Sequence, residues 1–167
     1  MTELIASIDT CFLIEWCRYR RRELLTKAFR YAYVTEDVLA EIKSKPTLEF
    51  VSDLLSKGFL VIYPFRRQLE SIIREIVTIS VNDSRIRIID PPEAYAFAIG
   101  LRENSVVLTE NKGIIRLVEL YGEKFPVRVW GAYQLLKFLY ENKYIQNFEE
   151  ELRNYTLDTH HMFPKRR

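Results

Sequence analysis

Short apolar runs alternate with amphipathic segments along the chain. Five runs are too short for core helices and predict buried strands: LIASI (4–8), YAYVT (31–35), FLVIY (59–63), SVVLT (105–109) and VRVW (127–130). Helical periodicity predicts helices over residues 37–42, 47–58, 66–79, 91–104, 112–122, 131–145 and 147–155. Strands that alternate with helices indicate βαβ units. We therefore expect an α/β protein, a three-layer α/β/α sandwich around a mostly parallel sheet of about five strands.

Polar side chains follow several of these strands. In an open parallel sheet the strand C-terminal ends meet at one edge, where ligands bind. Asp9 follows the first strand directly, and Glu41 lies one turn into the helix after the second. Glu93 lies in the first turn of the helix before the fourth strand. The fourth strand ends in LTEN, which supplies Thr109, Glu110 and Asn111.

Several carboxylates at one edge repel one another, which raises their pKa values and costs stability unless a cation compensates. Oxygen-only ligands suit Mg²⁺ or Mn²⁺. One or two such ions can activate water and stabilise a leaving oxygen, the chemistry of phosphodiester hydrolysis. No histidine is needed, and the two histidines, His160 and His161, are interpreted as surface or packing residues.

Each acid also has a structural interpretation. Asp9 could cap the helix that follows it, and Glu110 could be a surface charge that opens the next helix. Glu93 stands three residues after Asp90, so it could serve only as the partner in a capping box.

Other acidic residues lie close to Glu41 in the sequence. Glu41 could face solvent on an amphipathic helix, and Glu36 or Asp37 could take its role. The sequence leaves these alternatives open.

Other chemistries for an acid after the first strand lack their motifs. A haloacid-dehalogenase-type phosphatase needs a second acid two residues after the first, where this chain has Cys11. A receiver domain needs an aspartate at the end of the third strand, where the chain reads VIYPF. The five glycines are too scattered for a dinucleotide or P-loop site.

Composition fits one globular domain over residues 1–167, with a tail from about residue 156 that could be flexible. Hydrophobic residues make up 48% and charged residues 29%, which excludes a disordered chain. No membrane span or signal peptide is predicted, and two cysteines without a disulfide pattern favour the cytoplasm.

The net charge of +2 predicts no bulk attraction to nucleic acid, but positive charge is concentrated in RYRRR (18–22) and PKRR (164–167). Arg18, Arg20, Arg21 and Arg22 are candidates to bind RNA phosphates, with a solvated surface as the alternative.

The order of these motifs resembles the PIN-domain family, small metal-dependent ribonucleases that include VapC-type toxins. IDTCFLIEW is similar to the family's opening segment, VTEDVLAEI to the segment with the second acid, and DPPEAYAFAIGLRENSVVLTEN to its acid–helix–strand unit. LTENKG resembles the family's ending with two acids before Lys-Gly. Two departures are Glu93, where Asp is more usual, and Glu110 or Asn111, where the family has Asp.

The resemblance implies a Mg²⁺- or Mn²⁺-dependent endoribonuclease. Asp9, Glu41 and Glu93 would be metal ligands, with Glu110 or Asn111 in the fourth position. Thr10 and Thr109 would support them. The resemblance also implies an RNA substrate and, for a toxin, an antitoxin partner and a homodimer. A catalytically weakened RNA-binding or scaffold protein is the alternative.

The apolar segments 11–16 and 132–140 could serve dimerisation, although apolar helix stripes more often belong to a core.

Overall fold

A computed structural model describes residues 3–165 of the chain. Its five strands are β1 (Ile5–Ile8), β2 (Tyr31–Val34), β3 (Leu60–Ile62), β4 (Val106–Leu108) and β5 (Val129–Trp130). They form one sheet in the order β3-β2-β1-β4-β5, and each neighbouring pair is parallel. The predicted α/β class and parallel sheet are confirmed. β1 lies at the centre, so the residue that follows it stands in the middle of the sheet edge.

Helices surround this sheet. They are α1 (Thr10–Cys17), α2 (Leu25–Ala28), α3 (Glu36–Glu41), α4 (Lys45–Ser56), α5 (Leu69–Asn82), α6 (Pro91–Glu103), α7 (Lys112–Tyr121), α8 (Ala132–Glu141) and α9 (Phe148–Thr159). A 3₁₀ turn (Arg22–Leu24) leads into α2. The sequence pattern did not predict this turn or α2, because both are shorter than a reliable helical period.

The helices pack on both faces of the sheet. On one face, Ala6 and Ile8 of β1 join a buried core with residues of α1, α2, α4 and α8. On the other face, Val107 of β4 packs with α5, α6 and α7. The Ser7 hydroxyl donates a hydrogen bond of 2.7 Å to the Ala96 carbonyl of α6, which ties β1 to that layer. The result is three layers.

The apolar segments considered for dimerisation belong mainly to the core. Phe12, Leu13 and Trp16 of α1 are fully buried, and so are Leu135 and Leu136 of α8. Their burial within one chain leaves little of these side chains for a partner.

The C-terminal part of the chain is held against α1. α9 continues to Thr159, four residues past the predicted end at 155. The Tyr19 hydroxyl donates to Glu151, and Arg20 forms an ion pair with Asp158 at 2.9 Å. Residues 156–159, expected to begin a flexible tail, are therefore helical. The last two residues of PKRR lie outside the described residues. In the described part of the chain, no helix is long and apolar enough to cross a membrane.

Candidate metal centre at the sheet edge

Asp9 occupies the centre of the sheet edge. Its backbone N–H donates to the Leu108 carbonyl at 3.0 Å, which extends the pairing of β1 with β4. The Thr109 hydroxyl donates to Asp9 Oδ2 at 3.1 Å, and the Asp9 residue is only 6% exposed. The Asp9 side chain makes no N-cap hydrogen bond to α1, although the backbone of Thr10, the first residue of that helix, donates to it.

The electrostatics of Asp9 show that other acids lie near it. Burial is the main cause that raises the pKa of Asp9 to about 6, and the negative charges of Glu93 and Glu41 raise it further. Hydrogen bonds from the Thr109 side chain and the Thr10 backbone lower it in part. A buried carboxylate with acidic neighbours has a charge that its protein surroundings do not balance.

Glu93 takes the capping role that the sequence proposed. It is the third residue of α6, and its Oε2 accepts a hydrogen bond of 3.0 Å from the Asp90 N–H. The charge on Glu93 still acts on Asp9. The cap thus fixes the carboxylate while its charge still reaches Asp9, and its role as a metal ligand stays a prediction.

Glu41, and neither Glu36 nor Asp37, is the acid after β2 whose charge raises the pKa of Asp9. It is the last residue of α3, a helix whose start is fixed by Thr35 Oγ1, which accepts from the Val38 N–H at 3.2 Å. Glu36 and Asp37 line a separate hollow with Tyr63, Phe65 and Tyr95.

The two residues proposed for the fourth position bond to neighbouring helices. Glu110 Oε1 accepts from the Ala132 N–H at the start of α8, at 2.5 Å. Asn111 Oδ1 accepts from the Ile114 N–H at 3.0 Å and caps α7. Burial raises the pKa of Glu110, and the charges that act on it come from His161 and Glu15. Whether either residue completes the edge site stays a prediction.

The most closely spaced group of potential metal-binding side chains lies away from Asp9. Within residues 3–165, three His, Cys, Asp or Glu side chains with ligand atoms all within 4.8 Å of one another are found once, at Glu15, Glu110 and His161. The ligand atoms of Asp9, Glu41 and Glu93 do not all lie within that distance of one another. Mg²⁺ usually keeps several waters and binds only one or two carboxylates directly, so an ion at this edge would not need all three as direct ligands.

The sequence did not identify Glu15, His161 or Cys11 as neighbours of acidic groups. Glu15 lies inside the mostly apolar helix α1 and His161 follows the last helix, and no spacing rule joins them. Burial raises the pKa of the exposed Cys11 thiol, and so do the charges of Asp9, Glu93 and Glu41.

Most of the arginine cluster takes part in intramolecular contacts. Arg20 pairs with Asp158, and Arg21 pairs with Glu151 at 3.2 Å. Arg22 donates to the Cys17 carbonyl and stacks over the Phe50 ring. Arg18 is exposed. RNA binding by these side chains stays a prediction, with Arg18 the best placed to reach a phosphate.

Comparison with known proteins supports the architecture. No family model and no curated protein matches the chain. One similar solved structure is the crystal structure of VapBC2 from Rickettsia felis bound to a DNA fragment from their promoter. The match has 20% identity and a TM-score of 0.51, and it covers 77% of this chain and 98% of that chain. At this identity the likeness shows a shared fold.

Proposed function

We propose that this protein is a Mg²⁺- or Mn²⁺-dependent ribonuclease that hydrolyses RNA phosphodiester bonds at the edge formed by Asp9, Glu41 and Glu93. The observation that carries the proposal is the buried Asp9 carboxylate, whose pKa is raised to about 6 by burial and by two further acids. The donor set consists of carboxylate oxygens, which match the preference of these ions.

Asp9 would be the central ligand, since Thr109 fixes one of its oxygens and leaves the other for an ion. Glu93 would bind directly or through water, and its cap holds it in place. Glu41 is exposed and would contact ion-bound water. A bound Mg²⁺ or Mn²⁺ would activate a water molecule and neutralise charge on the phosphate.

The experiment is cleavage of a labelled single-stranded RNA with Mn²⁺ or Mg²⁺ and with EDTA. Wild type should cleave only with the ion, and Asp9→Asn should lose at least about 100-fold in rate, because several kcal/mol of charge stabilisation disappear. Asp158→Asn, at a distant ion pair, is the matched control and should cleave normally. An Asp9→Asn variant as active as wild type would refute the proposal.

We further infer that the enzyme acts as the toxin of a toxin–antitoxin pair. Two observations support this role. The fold is shared with the VapBC2 structure, and the sequence motifs occur in the order that resembles VapC-type toxins. An antitoxin would cover the acidic edge, and the active form would be a cytoplasmic homodimer. Expression of the protein should arrest growth, and expression of Asp9→Asn should not.

A specific observation favours one alternative, an RNA-binding scaffold with weakened catalysis. Glu110 and Asn111 bond to the starts of α8 and α7, so neither is free to strengthen the edge site. A scaffold would bind RNA in EDTA and show no cleavage with millimolar Mn²⁺. The ribonuclease would show cleavage that follows ion concentration.

A further inference from the structure

We propose that Glu15, Glu110 and His161 form a second metal site, distinct from the acidic edge, that binds a divalent transition-metal ion such as Zn²⁺. The three side chains come from α1, the end of β4 and the segment after α9. Their ligand atoms all lie within 4.8 Å of one another. Two carboxylates and one imidazole form a typical zinc ligand set, with a fourth position left for water.

Each carboxylate is held by a donor outside the group. Tyr155 donates to Glu15 Oε2 at 2.9 Å, and the Ala132 N–H donates to Glu110 Oε1 at 2.5 Å. In Glu15 the other oxygen, Oε1, faces His161 Nδ1 at 3.0 Å. Metal ligands in proteins are oriented by second partners in this way.

The imidazole is also fixed. His161 packs against Phe163 with ring centroids 4.7 Å apart and against Tyr155 at 5.8 Å. Its N–H on the backbone donates to Thr159 Oγ1 at 3.1 Å. Its Nδ1 lies 3.0 Å from Glu15 Oε1. An ion would replace the proton shared by this pair and gain Glu110 as a further ligand.

The Glu110 carboxylate lies directly against Gly131. A Cβ on Gly131 would lie 2.6 Å from Glu110 Oε1, so a larger residue there would push the carboxylate out of its present position. Among the ion pairs of the described residues, Glu15 has His161 as its partner and Glu110 has none. Two part-buried carboxylates beside one imidazole thus carry a net negative charge that a dication would offset.

The site would join three segments that are distant in sequence. An ion there would hold the segment after α9 against α1, whose first residue follows Asp9. The proposal does not depend on the ribonuclease activity, because none of its ligands is one of the three acids assigned to the edge.

The experiment is titration of the full chain, freed of metal, with Co²⁺ as a spectroscopic probe and with Zn²⁺ in competition. Wild type should bind one Co²⁺ with the visible absorption of a low-coordinate site, and one equivalent of Zn²⁺ should displace it. His161→Asn should weaken binding by at least about 10-fold, the smallest loss usual for a disturbed metal shell. Glu15→Gln is a second variant that keeps the side-chain shape.

His160→Asn is the matched control, because His160 is adjacent, exposed and in a left-handed conformation that asparagine tolerates. It should bind Co²⁺ as wild type does, and so should Asp9→Asn. Unchanged Co²⁺ binding in both His161→Asn and Glu15→Gln would overturn the proposal. Loss of the signal in Asp9→Asn alone would also overturn it, since the ion would then belong to the edge.

Discussion

At the scale of single residues, the burial of Asp9 makes a prediction about stability. Its pKa is about 6 in the folded chain and near 3.8 when exposed, so the folded state binds the extra proton between these values. Without metal, the free energy of unfolding should therefore fall as pH rises from 4 to 6. Asp9→Asn removes this penalty and should stabilise the protein at pH 7 by up to about 3 kcal/mol.

Urea unfolding in EDTA at pH 7 and pH 4 measures the effect. The stabilisation by Asp9→Asn should be large at pH 7 and small at pH 4, where the folded Asp9 carboxyl is protonated. Glu70→Gln, a change at a half-exposed position of α5, is the control and should show no such difference. An Asp9→Asn variant less stable than wild type at pH 7 would show that the carboxylate is compensated within the protein.

Gly131 and Glu110 should be coupled in stability. Gly131→Ala places a methyl group 2.6 Å from Glu110 Oε1. The carboxylate would have to move and give up its hydrogen bond from the Ala132 N–H, which should cost about 0.5–1.5 kcal/mol. In a Glu110→Ala background the same change should cost much less, because the clash is gone. A double-mutant cycle by thermal unfolding measures this coupling, and additive effects would contradict the contact.

Residue-level prediction from sequence succeeded where position along a strand decides the outcome. An acid directly after a central strand must lie at the sheet edge, as Asp9 does. The direction of Glu110 depends on α8, which begins 22 residues later, and no local pattern contains that information. The sequence interprets His161 as a surface or packing residue, and its imidazole ring does pack against the rings of Tyr155 and Phe163.

At the scale of elements, substitutions of Glu93 at the start of α6 separate its capping hydrogen bond from its negative charge. Glu93→Gln keeps an oxygen for the Asp90 N–H but removes the charge beside Asp9. It should leave thermal stability within about 0.5 kcal/mol of wild type, yet weaken Mn²⁺ binding strongly. Glu93→Ala removes both functions and should cost a further 0.5–1 kcal/mol or so.

Thermal unfolding in EDTA and Mn²⁺ titration test these two variants together. Equal Mn²⁺ affinity in wild type and Glu93→Gln would mean that Glu93 is only a capping residue.

The sequence placed the strands within one or two residues of their observed bounds, since apolar runs flanked by polar residues mark a buried strand. It located α6 almost to the residue through the Asp90-Pro91 start. It did not predict α2, and it extended α8 to 145, past Glu141. α8 ends because Lys143 takes a left-handed conformation (φ 66°), which a hydrophobic period does not indicate.

At the scale of the whole molecule, the alternation of strands and helices predicted a parallel sheet, and the sheet is parallel. The strand order β3-β2-β1-β4-β5 did not follow from the alternation, because several orders satisfy the same handedness rule. This order brings the residues after β1 and β4 side by side and places Thr109 on Asp9. The architecture is shared with the VapBC2 structure, and the nuclease role is our proposal.

The most direct test of the central claim is a crystal of the wild-type protein soaked in Mn²⁺ and measured for anomalous scattering. The account predicts a peak beside Asp9, with Glu93 in its coordination shell and Glu41 bonded to its water molecules. The peak should be absent in Asp9→Asn crystals. A wild-type edge without a peak, at Mn²⁺ concentrations that fill other sites on the protein, would contradict the account.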